Sequence, residues 1–184
     1  MDKRILKTDA AIYAAFGVCL KEKDFASISV EDILKKSGIS RSTFYAHFKA
    51  KDEVLDSLLD TIFEHVFSHS LHEEQSHDFS HESILDYKHL FTHTLYHLKD
   101  EEELIRTILN SSCKDRFLNG LRRHIRPLME RVIREGVLPK KPIPEELQIS
   151  SALESLIALV IFWFDERCAQ SPEEMTDYFL TLNQ

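Results

Sequence analysis

Apolar residues recur every three to four positions along almost the whole chain, which is the spacing of one buried helix face. The first such segment runs from Lys3 to Lys23, and its inward face is predicted to include Ile5, Ile12, Ala15, Phe16, Cys19 and Leu20. Further helices are predicted at residues 51–70, 83–98, 101–112, 113–135, 144–168 and 171–182. Only 4 glycines and 5 prolines occur in 184 residues. The pattern predicts an all-α protein.

Breaker residues divide these helices from one another. The polar stretch 71–80 is predicted to be a loop, and Gly136 is predicted to close the helix 113–135. The segment 139–144 contains three prolines and is predicted to be an exposed connection. Pro127 falls inside a periodic segment, so we expect it to bend or interrupt that helix.

The segment 28–51 has a different pattern, which predicts two short helices around a tight turn. Ser29 and Ser40 each precede a helix-like run, and a serine there can accept a hydrogen bond from an unpaired amide of the first turn. Gly38 suits the left-handed residue that ends a helix and changes the chain direction. The segment therefore predicts a helix-turn-helix.

The second of these helices has an unusual outer face. On a helical wheel, Phe44 and Phe48 fall on one side and are predicted to anchor the helix inward. Small and hydroxyl-bearing residues point away from that side, and they are flanked by an arginine, a tyrosine and a histidine. The outward set comprises Arg41, Ser42, Thr43, Tyr45, Ala46 and His47. This combination is typical of a helix that lies in a DNA groove.

The same residues resemble the TetR-type (TetR/AcrR) family of bacterial transcriptional regulators. The matching runs are Ser29–Ile33, Ser37–Ser40 and Thr43–Leu55, about a quarter of the chain. The resemblance implies an N-terminal three-helix DNA-binding unit with a helix-turn-helix at residues 1–50. It also implies a C-terminal helical ligand-binding and dimerisation domain at 51–184, whose first helix, 51–70, links the two parts.

The resemblance also assigns roles to individual residues. Arg41 and Ser42 would reach base edges, because an arginine can bond guanine in a bidentate manner. Ser29 would bind a phosphate at a helix N-terminus. The full DNA-binding set implied is Ser29, Ser40, Arg41, Ser42, Thr43, Tyr45, His47 and Lys51, of which Thr43, Tyr45, His47 and Lys51 would mostly hold phosphates. Ala50 departs from the family pattern, since alanine caps the next helix poorly.

The charge distribution agrees with a DNA-binding N-terminus. Residues 1–51 carry 10 Lys and Arg against 6 Asp and Glu, net +4. Residues 52–184 carry 13 against 25, net −12, and the two parts give the −8 of the whole chain. The modest basic count predicts moderate non-specific affinity for DNA. If a dimer makes about 6 phosphate contacts, the log–log salt slope should be about −5.

The helix 144–168 is apolar nearly all round in its second half, so we expect it to bury two faces. One face would pack on its own core, and the other, with residues 171–182, would meet a second subunit. The predicted dimer residues are Leu156, Val160, Trp163, Phe164 and Tyr178. A two-fold dimer predicts a near-palindromic operator with half-sites about 34 Å apart, or a multiple of that spacing. A central helix of a monomer is the alternative.

Ten histidines suggest a second possibility, a metal-responsive regulator. His65, His69 and His72 have the spacing i, i+4, i+7, and His89, His93 and His97 have the spacing i, i+4, i+8 on the next predicted helix. The second set falls opposite an apolar stripe and is expected to be solvated. His65 and His69 remain candidates, although no Cys or carboxylate pattern completes a site, and no metal or other cofactor is predicted.

Other classes of protein find less support. No nucleophile motif or glycine-rich phosphate loop is present, so we do not expect an enzyme. The longest apolar run, Leu156–Phe164, has nine residues, so no membrane span is predicted. Cys19, Cys113 and Cys168 are widely spaced, which favours reduced thiols in the cytoplasm. A chromosome-organising protein on the same scaffold stays an open alternative.

The sequence thus predicts a cytoplasmic, homodimeric transcriptional regulator that binds a double-stranded DNA operator. A repressor is favoured over an activator. An unidentified small molecule would bind among the helices of the second domain, where Phe91, Tyr96 and Met129 are candidate ligand-binding residues by position alone.

Overall fold

A computed structural model describes residues 3–67 and 87–184, and this part of the chain contains nine α-helices and no strand. The helices are α1 (Lys3–Glu22), α2 (Val30–Ser37), α3 (Arg41–His47), α4 (Lys51–Phe67), α5 (Tyr87–Asp100), α6 (Glu102–Leu109), α7 (Lys114–Arg134), α8 (Glu145–Asp165) and α9 (Pro172–Leu182). The all-α prediction is confirmed. The loop predicted at 71–80, together with His69 and His72, lies outside the described residues.

The chain divides into two compact units. The first, the head unit, comprises Met1–Ile62 and Thr107–Phe117, and the second, the body unit, comprises Phe63–Arg106 and Leu118–Gln184. This division differs from the single boundary predicted after residue 50. Helix α4 contributes to both units, and the segment joining α6 to α7 belongs to the head unit.

The core of the head unit contains the predicted inward face of α1, with one exception. Ile12 and Phe16 are fully buried, and Ala15, Cys19 and Leu20 are also inside. Ile5 is 43% exposed, contrary to the prediction. It lies near the start of α1 and lines an open groove of about 470 Å³ together with Asp9 and His47.

The body unit is built around α8. Trp163 and Phe164 are fully buried, and the Trp163 indole N–H donates to the Gln170 carbonyl over 2.9 Å. By length and composition alone α8 could cross a membrane, so the nine-residue run understated its apolar length. Half of its most apolar window is nevertheless buried within the protein. This burial is typical of the central helix of a folded domain.

Helix α5 packs its polar side chains inward, which the sequence pattern did not predict. His93 and His97 are 5% and 1% exposed, so the expectation that they are solvated is wrong. Thr92 is also buried and lies 2.9 Å from the Thr176 hydroxyl of α9. The polar face of α5 is thus covered by other helices, and its hydroxyl and imidazole groups bond there instead of to water.

Helix α7 continues through Pro127, so of the two expected effects, a bend or an interruption, the interruption does not occur. Pro127 is exposed, and the flanking Ile125 and Met129 are fully buried. Burial of the residues on both sides stabilises the helix across the one backbone hydrogen bond that proline cannot donate. Earlier in α7, a Cβ on Gly120 would come within 2.3 Å of the Phe63 ring, so only glycine allows the end of α4 to pack this closely.

Candidate nucleic-acid interface

Helix α2 begins with a complete capping box. The Ser29 hydroxyl accepts a hydrogen bond from the Asp32 amide, and the Asp32 carboxylate accepts one from the Ser29 amide over 2.9 Å. The Lys23 ammonium, 2.6 Å away, and the bonds from Ser29 hold the pKa of Asp32 well below its usual range. A carboxylate that stays charged at this helix N-terminus stabilises α2, because it faces the positive end of the helix dipole.

The turn between α2 and α3 has the predicted chemistry. Gly38 adopts φ +67°, in the left-handed region, and ends α2. Ser40 then caps α3 by accepting a hydrogen bond from the Thr43 amide over 3.1 Å. Phe44 is fully buried and Phe48 is 5% exposed, as predicted. These two rings fix the inner face of α3 in the head unit.

The outer face of α3 is therefore presented to solvent. Arg41, Ser42, Tyr45 and Ala46 are exposed, and Tyr45 is 49% exposed although it is aromatic. The Arg41 guanidinium lies 2.6 Å from the Glu31 carboxylate of α2, and both side chains are mostly in water. An exposed ion pair of this kind contributes about 0–1 kcal/mol, so a nucleic acid can replace it at little cost.

His47 is only partly available for a ligand. Its Nδ1 lies 2.6 Å from the Asp9 carboxylate of α1, and both side chains are more than four-fifths buried. Nε2 is the remaining ring nitrogen that could donate to a phosphate. Asp9 had no sequence signal, because a single acidic residue on α1 has no periodic pattern that reveals its partner.

Lys51 forms hydrogen bonds within the head unit, which the sequence analysis did not predict. Its ammonium donates to the carbonyls of Phe25, Ala26 and Ile28 over 2.7, 3.0 and 2.7 Å. It also lies 4.7 Å from the centre of the Phe25 ring. An ammonium has three N–H donors, and all three are used here. Lys51 therefore ties the start of α4 to the short 3₁₀ turn at Phe25–Ser27.

The serine caps leave little capacity for a phosphate at two of the predicted positions. The Ser29 hydroxyl both accepts from the Asp32 amide and donates to the Asp32 carboxylate over 2.7 Å. The Ser40 hydroxyl lies 2.8 Å from the Thr43 hydroxyl and 3.0 Å from that of Ser42. Both serines stabilise helix ends in the free protein.

The start of α4 shows how the chain compensates for Ala50. The Glu53 carboxylate accepts a hydrogen bond from the Lys49 amide over 2.5 Å, so a side chain from the first turn reaches back to the preceding segment. Lys49 itself is exposed beside the end of α3. Its side chain is a candidate phosphate contact that the family pattern did not supply.

The corner between α6 and α7 is held within the head unit by two polar contacts. The Ser112 amide and hydroxyl donate to the Asp24 carboxylate over 2.8 and 2.5 Å, and these bonds lower the pKa of Asp24. The Arg116 guanidinium donates to Asp52 at the start of α4 over 2.9 Å. No local pattern predicts these contacts, since 88 residues separate Ser112 from Asp24.

The candidate ligand-binding residues of the body unit are not equivalent. Phe91 and Met129 are buried, and the centres of the Phe91 and Phe179 rings are 4.7 Å apart. Tyr96 is partly exposed, and its hydroxyl donates to the Glu173 carboxylate over 2.7 Å, which raises the pKa of Tyr96. These contacts do not by themselves define a ligand site.

The candidate dimer residues are also divided. Four of the five, Leu156, Val160, Trp163 and Phe164, are buried within a single chain. Only Tyr178 of that set is exposed, at 44%. The other exposed large apolar residues on these two helices are Leu147, at the start of α8, and Phe162 and Leu182, at 56%, 45% and 60%. A surface for a partner on the later part of α8 and on α9 would contain Phe162, Tyr178 and Leu182.

Two short helices, a left-handed glycine turn and an exposed α3 define a helix-turn-helix regulator. Residues 12–58 match the family model described as bacterial regulatory proteins, tetR family. Residues 85–184, more than half of the chain, match the TetR model described as a transcriptional regulator C-terminal region. The chain belongs to the TetR family of transcriptional regulators.

Individual relatives agree with this assignment. The chain is 25% identical to the uncharacterized HTH-type transcriptional regulator YxbF of Bacillus subtilis, over 98% of this chain and 45% of YxbF. It is 51% identical to the HTH-type transcriptional regulator EthR of Mycolicibacterium smegmatis over 47 residues, which are 26% of this chain and 22% of EthR. The matched part thus spans less than half the length of either relative.

A solved structure matches along the full chain. The crystal structure of a TetR transcriptional regulator from Streptococcus agalactiae superposes with a TM-score of 0.74 and 28% sequence identity. The match covers 100% of this chain and 97% of that one.

Proposed function

We propose that this protein is a cytoplasmic, dimeric repressor that binds an operator through α3 and releases it in response to a ligand. The observation that carries the proposal is the two-sided character of α3. Phe44 and Phe48 fix its inner face, and Arg41, Ser42 and Tyr45 lie on its exposed outer face. A rigid helix with donors on one exposed side fits the major groove of B-DNA.

The DNA contacts divide by chemistry. Arg41 and Ser42, at the N-terminal end of α3, would meet base edges, with Arg41 leaving Glu31 for a guanine. Tyr45, Thr43 and the Nε2 of His47 would meet phosphates and so fix the orientation of the helix. Lys51 is left out of this set because its donors are used internally.

The dimer surface is proposed on α8 and α9. Ala158 and Phe162 lie one helical turn apart on the exposed side of α8, and Tyr178 and Leu182 have the same spacing on α9. Exposed large apolar side chains such as Phe162, Tyr178 and Leu182 favour a protein interface. A two-fold dimer formed here would present two copies of α3 to a near-palindromic operator.

Coupling between ligand and operator would use the two segments that connect the units. Helix α4 contributes to both, and the α6–α7 corner is bonded to Asp24 and Asp52 in the head unit. A ligand that shifts the part of α4 or α7 in the body unit would also shift the part of the same helix that belongs to the head unit. Linkage requires that the operator change ligand affinity by the same factor.

The DNA contacts are tested by fluorescence anisotropy with promoter duplexes and a random duplex of equal length. Arg41→Ala is expected to weaken specific binding by about 1–3 kcal/mol and to relax sequence preference, because it removes a base contact. Tyr45→Ala is expected to weaken binding to both duplexes by a similar factor, because it removes a phosphate contact. Equal losses on both duplexes for Arg41→Ala would contradict its assignment to a base edge.

A further inference from the structure

A cluster of metal-type ligands lies within the body unit, where the end of α4 meets the end of α5. The Nδ1 of His97 lies 3.2 Å from the Nε2 of His65 and 3.8 Å from a carboxylate oxygen of Asp100. One donor atom from each of the three residues lies within 4.8 Å of the other two. Two imidazoles and one carboxylate therefore converge on one small volume.

These separations fit a first coordination shell. Zinc binds imidazole nitrogen and carboxylate oxygen at about 2.0–2.2 Å, so two ligands of a tetrahedral ion lie about 3.3–3.5 Å apart. The 3.2 and 3.8 Å separations lie close to that range, and the third pair of ligand atoms, from His65 and Asp100, lies within 4.8 Å. Three protein ligands leave a position open for water or another ligand, as in many zinc sites.

His93 provides the outer support that such a site needs. Its Nε2 lies 3.2 Å from the Nε2 of His97, which is the ring nitrogen that does not face His65 and Asp100. With Nδ1 bound to a metal, His97 would carry its proton on Nε2 and would donate a hydrogen bond to the Nε2 of His93. Ligating histidines usually donate their second N–H in this way, which fixes the ring and raises its basicity.

The cluster combines buried and exposed ligands, which favours reversible binding of an ion. His97 and His93 are buried, so the centre of the site is held rigidly. His65 and Asp100 are exposed, so an ion can enter from solvent. The site also draws its ligands from two helices, and one of them, α4, continues into the head unit.

We propose that His65 Nε2, His97 Nδ1 and an Asp100 carboxylate oxygen bind a divalent transition-metal ion of the Zn²⁺ type. By joining α4 to α5, the ion would act as an effector of operator binding. This second part rests on the proposed regulatory function, whereas the binding of metal does not. The carboxylate absent from the sequence pattern of His65 and His69 is supplied by Asp100 from another helix.

Metal binding is tested on the full chain after dialysis against a chelator. Titration with Co²⁺ is expected to produce visible d–d bands with one equivalent per chain, and Zn²⁺ is expected to displace them. His97→Gln and Asp100→Asn are expected to weaken Zn²⁺ binding at least as much as the loss of an outer partner does, about 10–100-fold. His93→Gln, which removes the outer partner, is expected to weaken Zn²⁺ binding by about 10–100-fold.

His89→Gln serves as the matched control, because His89 lies one turn before His93 on the same helix and outside the ligand set. It should keep wild-type Zn²⁺ affinity, and circular dichroism should show all variants folded. Absence of the cobalt bands in the wild type, or unchanged affinity in folded His97→Gln and Asp100→Asn, would overturn the site.

The regulatory part is tested by measuring operator affinity with and without Zn²⁺. A change of about fivefold or more is expected in the wild type and in His89→Gln, but not in Asp100→Asn. Operator binding that ignores Zn²⁺ would overturn the effector role and leave the DNA-binding function standing. If the protein shows the cobalt bands but binds no DNA duplex, the proposed regulatory function is refuted and the metal site is supported.

Discussion

Replacing Lys51 with methionine tests whether this residue holds the head together or contacts DNA. Methionine keeps an apolar stem of similar length but removes the ammonium and its bonds to Phe25, Ala26 and Ile28. Hydrogen bonds to a charged group contribute about 1.5–3 kcal/mol each when buried. Lys51 is only partly buried, and water can reach the released Ala26 carbonyl, so the three bonds together are expected to contribute about 2 kcal/mol.

Urea unfolding followed by circular dichroism measures this loss, and a thermal scan should show a Tm lower by about 4–8 °C. The matched control is Lys49→Met, which changes an exposed lysine two residues earlier. Its free energy of unfolding should change by less than about 0.5 kcal/mol. In DNA titrations, Lys49→Met should make the log–log salt slope of a dimer shallower by about 2, since each subunit loses one phosphate contact.

Lys51→Met should leave the salt slope unchanged under conditions where the protein is folded. The reverse result would refute this interpretation of Lys51. A folded Lys51→Met protein of wild-type stability, with a salt slope shallower by about 2, would show that the ammonium leaves the 3₁₀ turn and binds phosphate.

Two further substitutions test the turn and the dimer surface. Gly38→Ala should destabilise the protein by about 1 kcal/mol in urea unfolding, because φ +67° strains any residue with a Cβ, although no atom lies within 4 Å of that carbon; unchanged stability would mean that the turn adjusts freely. Phe162→Asp should shift sedimentation toward the monomer, because it places a charge in the proposed interface, whereas Asp165→Asn, also exposed on α8, should not. A dimer of unchanged affinity in Phe162→Asp would place the interface elsewhere.

The head was predictable because its signals are local. Ser40 and Thr43 are three residues apart, and Gly38 needs only its own backbone angle to end α2. Phe44 and Phe48 are four residues apart, and the helical pattern predicts that both are buried, although Phe48 is the extended residue that ends α3. These features depend on residues that are close in the sequence, so a pattern over about 20 residues is enough to predict them.

The contacts that the sequence did not predict join distant parts of the chain. The acceptors of Lys51 lie 23–26 residues earlier, and His65 lies 32 residues before His97. An apolar pattern all round α8 indicated burial on two sides, but only packing decides that Trp163 is inside and Phe162 outside. The burial of the polar face of α5 is unpredictable for the same reason, since periodicity cannot show that other helices cover this face.

The most direct test of the DNA-binding account places a cleavage reagent on α3. All three native cysteines are buried, and burial raises the pKa of Cys168 to about 11, so an introduced exposed thiol should be labelled selectively. Ala46→Cys puts that thiol on the outer face of α3, and Ala14→Cys puts one on the exposed face of α1 as a control.

Both variants would be coupled to an iron–EDTA chelate and bound to promoter DNA. If α3 lies in the major groove, the label at position 46 should cleave the strands within each half-site, and the label at position 14 should cleave far more weakly. Equal cleavage by the two labels, or none from position 46 in a protein that still binds the duplex, would show that α3 does not lie in the groove.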